Sequence, residues 1–328
     1  MKKSRRVAFS LAALGLVLLV SLGLAEMLVR GAGFRPWPAE RTLDRPPGMH
    51  DLDDELGWIP KPGTYDEGGK VTIWPDRARA TSTAWSQDEP DVIIVGDSIA
   101  FGQEVADEET FAWRLQERLA PGHRLSNLAT PAYGTYQSLL RLERFFGQRP
   151  RNVRLVIYPF AKFHEFRNVN SSRWKSILAK GNMETLFRIP YCGLDAGGNL
   201  EKLAPEPCTP KWPLGNHLAL VPFLSERYMQ WRTAGRDEIR FEVTTKLLRE
   251  MRDVAAAHDA ELLVVFIFDA DTADYRRFLG DNGIRFVDCV HPNVLSGAWR
   301  VAGSIHPNGT GHRYYAECIA SALLVGGY

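Results

Sequence analysis

In Asp91-Val92-Ile93-Ile94-Val95-Gly96-Asp97-Ser98-Ile99-Ala100-Phe101-Gly102 a short run of β-branched apolar residues ends abruptly in Gly-Asp-Ser. Unbroken hydrophobicity over so few residues predicts a strand covered on both faces, as in a parallel sheet flanked by helices. Gly96 lets the chain turn sharply, which leaves Ser98 at the carboxyl end of the strand, where open α/β sheets place their ligands. A serine there can act as a nucleophile if a base reaches it from another part of the chain.

The candidate base lies near the other end. Gly303-Ser304-Ile305-His306-Pro307-Asn308-Gly309-Thr310-Gly311-His312 precedes Arg313 to Leu324, which reads as a closing amphipathic helix. Pro307 and the glycines hold His306 on a loop ahead of that helix. The pairing resembles the SGNH (GDSL) hydrolase family, which carries Gly-Asp-Ser after its first strand and a histidine in a His-Pro-Asn-x-x-Gly-His setting before its last helix. The resemblance covers roughly Asp91 to Tyr328. It implies that Ser98 is the nucleophile and His306 the base, an imidazole being suited to proton transfer near neutral pH.

The resemblance also implies three donors for the oxyanion of a tetrahedral intermediate: the nucleophile's own N–H, a glycine N–H from a second block and an asparagine side chain from a third. Asn127-Leu128-Ala129-Thr130-Pro131-Ala132-Tyr133-Gly134 stands as the second block, with Gly134 as the donor. The third departs from the family. After Leu155-Val156-Ile157-Tyr158-Pro159-Phe160 come Ala161-Lys162-Phe163-His164-Glu165, so His164 occupies the asparagine position and is the expected substitute donor. The triad acid departs too, because Gly303 stands three residues before His306 where the family has aspartate. A backbone carbonyl fixing the imidazole, Asp288 reaching in from the last strand, and a site that no longer hydrolyses all stay open. Asp288-Cys289-Val290-His291-Pro292-Asn293 has the family's Asp-x-x-His spacing as well, which makes His291 a rival base. Asp97 reads as a support for the turn.

The 328 residues carry a formal net charge of +1, which gives no reason to expect nucleic acid as a partner. Lys2, Lys3, Arg5 and Arg6 precede an uncharged run from Val7 to Ala25. Spanning a bilayer takes about 20 apolar residues, and the positive-inside rule places Met1 in the cytoplasm and everything after Arg30 outside it. The expectation is a single-pass anchor in a bacterial-type inner membrane; Gly23-Leu24-Ala25 offers the alternative of a cleaved signal peptide. Four cysteines suit an extracytoplasmic compartment. Cys192 and Cys208 flank a Gly/Pro-rich stretch that a disulfide would close, whereas Cys289 and Cys318 read as buried thiols. No Cys/His spacing suggests zinc, and no metal or cofactor is expected.

Three parts follow: 1–30 as cytoplasmic tip and anchor, 31–90 as juxtamembrane linker and accessory segment, and 91–328 as the main domain with an insertion at about 165–240. From Asp91 the pattern alternates strand and helix, with strands at His123–Leu128, Val153–Phe160, Leu262–Phe268 and Ile284–Asp288. Helices fall between them at Phe111–Leu119, Ser138–Phe146, Phe241–His258 and Asp271–Leu279. The fold class is therefore α/β, a three-layer sandwich around a central parallel sheet. The expected function is removal of O-acyl groups, O-acetyl above all, from a glycan outside the cytoplasm. O-acyl transfer to a cell-surface or exported polysaccharide is the alternative, and a non-catalytic glycan-binding or scaffold role in the envelope a second one.

Overall fold

A computed structural model describes residues 2–37, 48–66, 68–119, 123–148, 152–180, 188–207 and 212–325. The chain begins with a long helix, α1 (Lys2–Gly31), followed by two antiparallel hairpins, β1 (His50–Asp53) with β2 (Gly57–Pro60) and β3 (Gly63–Asp66) with β4 (Lys70–Ile73). Alternation of strand and helix then sets in: β5 (Val92–Ile94), α2 (Ser98–Phe101), α3 (Phe111–Gln116), β6 (Leu125–Asn127), α4 (Thr135–Gln148) and β7 (Leu155–Phe160). The insertion holds α5 (His164–Asn168), α6 (Ser172–Lys180), the hairpin β8 (Arg188–Leu194) with β9 (Leu200–Pro207), and α7 (Leu220–Arg232). The domain closes with α8 (Arg240–Ala256), β10 (Glu261–Phe266), α9 (Ala273–Asp281), β11 (Arg285–Asp288), α10 (Pro292–Leu295) and α11 (Gly309–Val325).

The central sheet has the order β11-β10-β7-β5-β6, with every pairing parallel. Successive side chains on a strand point to opposite faces, and the core divides accordingly. Ile93, Val156, Tyr158, Val264 and Phe266 pack with Leu139, Leu142, Leu247 and Met251 of α4 and α8. Val92, Ile94, Leu155, Ile157 and Val265 pack on the other side with Ile99, Phe111, Leu115, Tyr315 and Ile319 of α2, α3 and α11. Each such side chain contributes roughly 1.5–3 kcal/mol by leaving water. This is why β5, β7 and the stretch Leu262–Phe266 of β10 carry no charged residue: both of their faces are covered.

The accessory segment is built into this body. Trp58 is fully buried; its Nε1 donates to Pro131 O at 2.9 Å, and Tyr133 Oη donates to Trp58 O. Gln137 Nε2 donates to Leu56 O at 2.7 Å. Isolated bridges from Ile73 to Arg79 and from Arg79 to Asn127 lay the segment along the free edge of β6. An open edge strand invites unwanted pairing, and this segment covers it.

The expectation for the cysteines is corrected. Cys289 and Cys318 form a disulfide that joins the end of β11 to α11. Cys192 is a buried free thiol packed among the residues of β8 and α4, and Cys208 lies outside the described residues. The pairing was misjudged because Cys289 and Cys318 look like core residues in sequence; being core is what brings strand and helix close enough to be bridged.

Candidate active site

The Gly-Asp-Ser turn follows from close packing. A Cβ on Gly96 would lie 2.7 Å from Ala100 Cβ, so only glycine lets α2 start this close to the strand. Asp97 is extended and caps α2, its Oδ1 accepting from Ile99 N at 3.0 Å and Ala100 N at 3.4 Å. The cap takes those two N–H groups and not that of Ser98, the first residue of the helix. Gly102, with φ +80°, ends α2 in the left-handed conformation and turns the chain back toward the site. Asn127 supports the same turn, its Nδ2 donating to Ala100 O at 3.0 Å.

Ser98 and His306 meet. Ser98 Oγ lies 3.0 Å from His306 Nε2, although 208 positions separate them in sequence. The loop that brings the ring in is pinned by Val301 N to His306 O at 2.9 Å and by an isolated bridge between Arg300 and Pro307. The rest of the histidine block serves this placement. Asn308 Oδ1 caps α11 through Thr310 N and Gly311 N. His312 is fully buried against Phe111 and accepts from Phe111 N at 3.3 Å. Burial, aided by the Arg79 charge, pushes the His312 imidazole down to about 3.

The acid on the far side of His306 is Glu104, which the sequence reading missed. His306 Nδ1 lies 2.9 Å from Glu104 Oε2 and 3.0 Å from Ser304 Oγ. Burial would raise the Glu104 carboxyl, but hydrogen bonds with Ser304 and His306 and the His306 charge outweigh it and hold it below its ordinary value. Glu104 sits at φ +67°, a conformation that non-glycine residues rarely adopt. The accessory segment holds it there. A Cβ on Gly68 would lie 2.7 Å from Glu104 O, and one on Gly69 would lie 2.9 Å from Ala106 Cβ. Arg79, fully buried, donates to Gly102 O and Val105 O, each at 2.8 Å, and pairs with Asp107 at 3.0 Å. The loop that carries the acid is thus fastened from outside itself.

His164 does not face the nucleophile. It is fully buried, with Nε2 3.2 Å from Asp97 Oδ2 and Nδ1 2.7 Å from Tyr158 Oη. With Nδ1 bonded to Tyr158 and Nε2 turned toward the Asp97 carboxylate in a fully buried setting, it offers no N–H to an oxyanion at the solvent side of the turn. Arg167 joins the cluster, Nη1 lying 3.3 Å from Asp97 Oδ2 and 2.6 Å from Tyr133 O. Burial pushes the Asp97 carboxyl up, but His164, Arg167 and the Ile99 N–H outweigh it and keep it well below the usual carboxylate range. Burial drives the His164 imidazole below its ordinary value. The consistent assignment is a neutral ring that accepts at Nδ1 from Tyr158 and keeps its proton on Nε2, which faces the Asp97 carboxylate at 3.2 Å.

Asp288 and His291 are also placed elsewhere. β11 is an edge strand three places from β5, roughly 14 Å away at the usual strand spacing. Asp288 pairs there with Arg276 at 2.7 Å. His291 caps α10, its Nδ1 accepting from Asn293 N at 3.1 Å, and its ring stacks on Trp299 at 4.1 Å. The Asp-x-x-His spacing at 288–291 is therefore a helix start beside a surface ion pair. Gly134 stands just before α4, where a Cβ would lie 2.6 Å from Asn168 Oδ1 and 2.9 Å from Arg167 Cβ. Close packing of the second block against α5 demands glycine there. A cavity of about 640 Å³ along the edge of β6, lined by Trp74, Trp85, Ser126 and Arg141 among others, includes neither Ser98 nor His306.

The signal for Glu104 was local and easily passed over: an acid in a Gly-Gln-Glu loop directly after the helix that begins at the nucleophile. Arg167 had a weaker one, a cation two residues after the third block, in Phe166-Arg167-Asn168.

No family model matches the chain, and no curated protein matches it. Among solved structures it is similar to TesA, at 16% identity over 71% of this chain and 97% of that one, with a TM-score of 0.39. A member of the lipolytic protein G-D-S-L family from Veillonella parvula shares 11% identity over 70% of this chain and 96% of its own, with a TM-score of 0.40. An acetylxylan esterase from Geobacillus stearothermophilus shares 12% identity over 73% and 95%, with a TM-score of 0.38. It is the Gly-Asp-Ser turn after β5 and the histidine block before α11 that make this chain similar to the SGNH (GDSL) hydrolases.

Proposed function

We propose that this chain is a serine esterase that works through an acyl-enzyme. The observation that carries the reading is the line Ser98 Oγ, His306 Nε2, His306 Nδ1, Glu104 Oε2, with links of 3.0 and 2.9 Å. Nucleophile, base and orienting acid at such distances meet the geometric requirement for an activated hydroxyl. His306 with its proton on Nδ1 donates to Glu104 and leaves the Nε2 lone pair facing the serine. As Ser98 Oγ bonds to the ester carbon, its proton passes to Nε2, and the imidazolium is stabilised by the Glu104 carboxylate. The Ser98 N–H, which the Asp97 cap does not take, and the Gly134 N–H are the donors to the oxyanion. Collapse breaks the bond to the alcohol oxygen, which leaves with the proton from Nε2. Water then gives a proton to His306, attacks the acyl carbon, and releases the carboxylic acid and free Ser98.

The substrate we infer is an O-acetylated glycan outside the cytoplasm. Ser98 is only 5% exposed, which favours a small acyl group. The basic residues at the start of the N-terminal helix and the Cys289–Cys318 disulfide support an oxidising, extracytoplasmic location on a single-pass anchor. A fluorophosphonate probe tests the chemistry. Labelling of the wild type is expected, with loss in Ser98→Ala and a large reduction in His306→Ala, while His291→Ala labels normally. Absence of labelling at any pH near neutrality would overturn the reading. Given a chromogenic acetyl ester and a glycan acceptor, the protein is expected to release acetate; acetylation of the acceptor instead would identify a transferase.

A further inference from the structure

We propose that the outer face of α7 lies in the headgroup region of the bilayer that α1 spans, and that this contact fixes the catalytic domain against the membrane. The inference rests on α1 remaining as the anchor. The most apolar stretch within Arg6–Gly31 has a mean hydropathy of 2.5, and none of that stretch is buried within the protein. Its uncharged run, Val7 to Ala25, is about 28 Å long at 1.5 Å per residue. The hydrocarbon layer is about 30 Å thick. Glu26 and Arg30 therefore stand at the first polar level on the outer side.

α7 is fastened to α1 at that level. Glu26 accepts from Ala219 N at Oε1 and from Leu220 N at Oε2, each at 2.8 Å, which satisfies the amides that open α7. Arg30 Nη2 donates to His217 O at 3.1 Å, while its Nε pairs with Glu26 at 2.6 Å. Just beyond α1, Phe34 packs edge-on against Phe223 at 5.2 Å, and Trp37 N donates to Gly215 O at 2.8 Å. A Cβ on Gly215 would lie 2.1 Å from the Trp37 ring, so the approach depends on glycine. Because α7 begins at Glu26, its height is set by the depth of α1 in the bilayer.

The outward residues of α7 suit that level. Leu224, Tyr228 and Trp231 are exposed at spacings of four and three, which puts them on one face. Trp231 is 71% exposed, a large apolar side chain left in the open. Trp212 packs on Tyr228 at 5.6 Å and Tyr228 on Trp231 at 6.0 Å, so the rings form one continuous patch, with Leu214 exposed on the preceding turn. Arg227 and Arg232 are exposed on the same helix, and Arg227 covers Phe223. Tryptophan and tyrosine with arginine are the composition of a membrane–water interface, where rings sit among the glycerol groups and guanidinium groups reach phosphates.

Tryptophan fluorescence of the full chain in vesicles of anionic phospholipid, some brominated near the top of the acyl chain, tests the assignment. Trp212→Phe/Trp231→Phe should remove the larger part of the bromolipid-quenched emission and leave quenching by aqueous iodide as in the wild type. A thermal midpoint equal to that of the wild type shows that the variant folds. Unchanged bromolipid quenching together with reduced iodide quenching places the rings in water and overturns the proposal. If neither quencher responds and the emission varies with protein density, a second copy covers the patch, which overturns it too. An intact mass showing cleavage after Ala25 removes the anchor, and the proposal falls with it. None of these outcomes bears on the chemistry at Ser98.

Discussion

Two histidine clusters share the Gly-Asp-Ser turn and differ in what surrounds them. On the outer side His306 bridges Ser98 and Glu104, with 12% of its side chain exposed. On the inner side His164 bridges Asp97 and Tyr158 with none. Each ring lies between a carboxylate and a hydroxyl. The inner hydroxyl is a buried tyrosine pushed far from ionisation by desolvation, and the inner ring is driven toward its neutral form by the same cause. A proton entering that cluster has no route to a substrate. The outer ring is partly open to solvent and touches the Ser98 hydroxyl. Residue type marks both clusters as candidate chemistry; solvent access separates a shuttle from a strut.

Mutations should separate the two sides, the outer ones changing rate and the inner ones stability. Ser98→Ala or His306→Ala is expected to lower kcat on an acetyl ester by on the order of 10⁵–10⁶-fold, with the thermal midpoint little changed. A variant retaining most of its activity would sink the outer assignment. Glu104→Gln should cost about 10³–10⁴-fold in kcat with KM nearly unchanged, because the imidazolium loses its counter-charge. Steady-state kinetics over a range of ester concentrations checks the split. Arg167→Met leaves Asp97 buried with a weakened partner set. It is expected to lower stability by about 3–5 kcal/mol, read by denaturant unfolding. Fluorophosphonate labelling of the fraction that stays folded should persist.

The last effect is one of pH. His312 is protonated with difficulty when folded, at about 3, whereas an unfolded histidine titrates near 6.5. The unfolded state then binds the extra proton as pH falls through 6.5, so its contribution to stability is complete above that value. It is lost progressively down toward 3, by about 1.4 kcal/mol per pH unit. His312→Gln, which keeps an acceptor for Phe111 N–H, should flatten the fall in unfolding free energy between pH 6.5 and 4. An unchanged slope would show that His312 is not the group responsible.

The sheet was legible because Val92 to Ile94, Leu155 to Phe160 and Leu262 to Phe266 are buried on both faces and have no polar residues to spare. The meeting of Ser98 and His306 was legible because each lies at a fixed point of the architecture: a strand end and the loop before a terminal helix. Glu104 was hidden because its place depends on a left-handed backbone held by Gly68, Gly69 and Arg79, distant contacts that leave no periodicity. His164 was misplaced because register along the chain gives no account of which side of a turn a ring enters. Asp288 failed for a topological reason: the last strand in sequence became an edge, far from the centre of the sheet. α7 escaped notice because its outward face mixes Leu224, Tyr228 and Trp231 with Arg227, so the usual contrast between wet and dry faces is missing.

The close approach of Gly68 and Gly69 to residues 104–106 bears on where this chain can be cut. A fragment starting at Asp91 would keep the nucleophile, the base and the whole parallel sheet, and by motif alone would count as complete. It would also discard the wedge and the buried guanidinium that aim the carboxylate. The smallest piece that keeps both core and carboxylate in place therefore begins ahead of the first hairpin, near residue 48, because trimming to the recognisable blocks also strips Trp58, Val71 and Ile73 from the core.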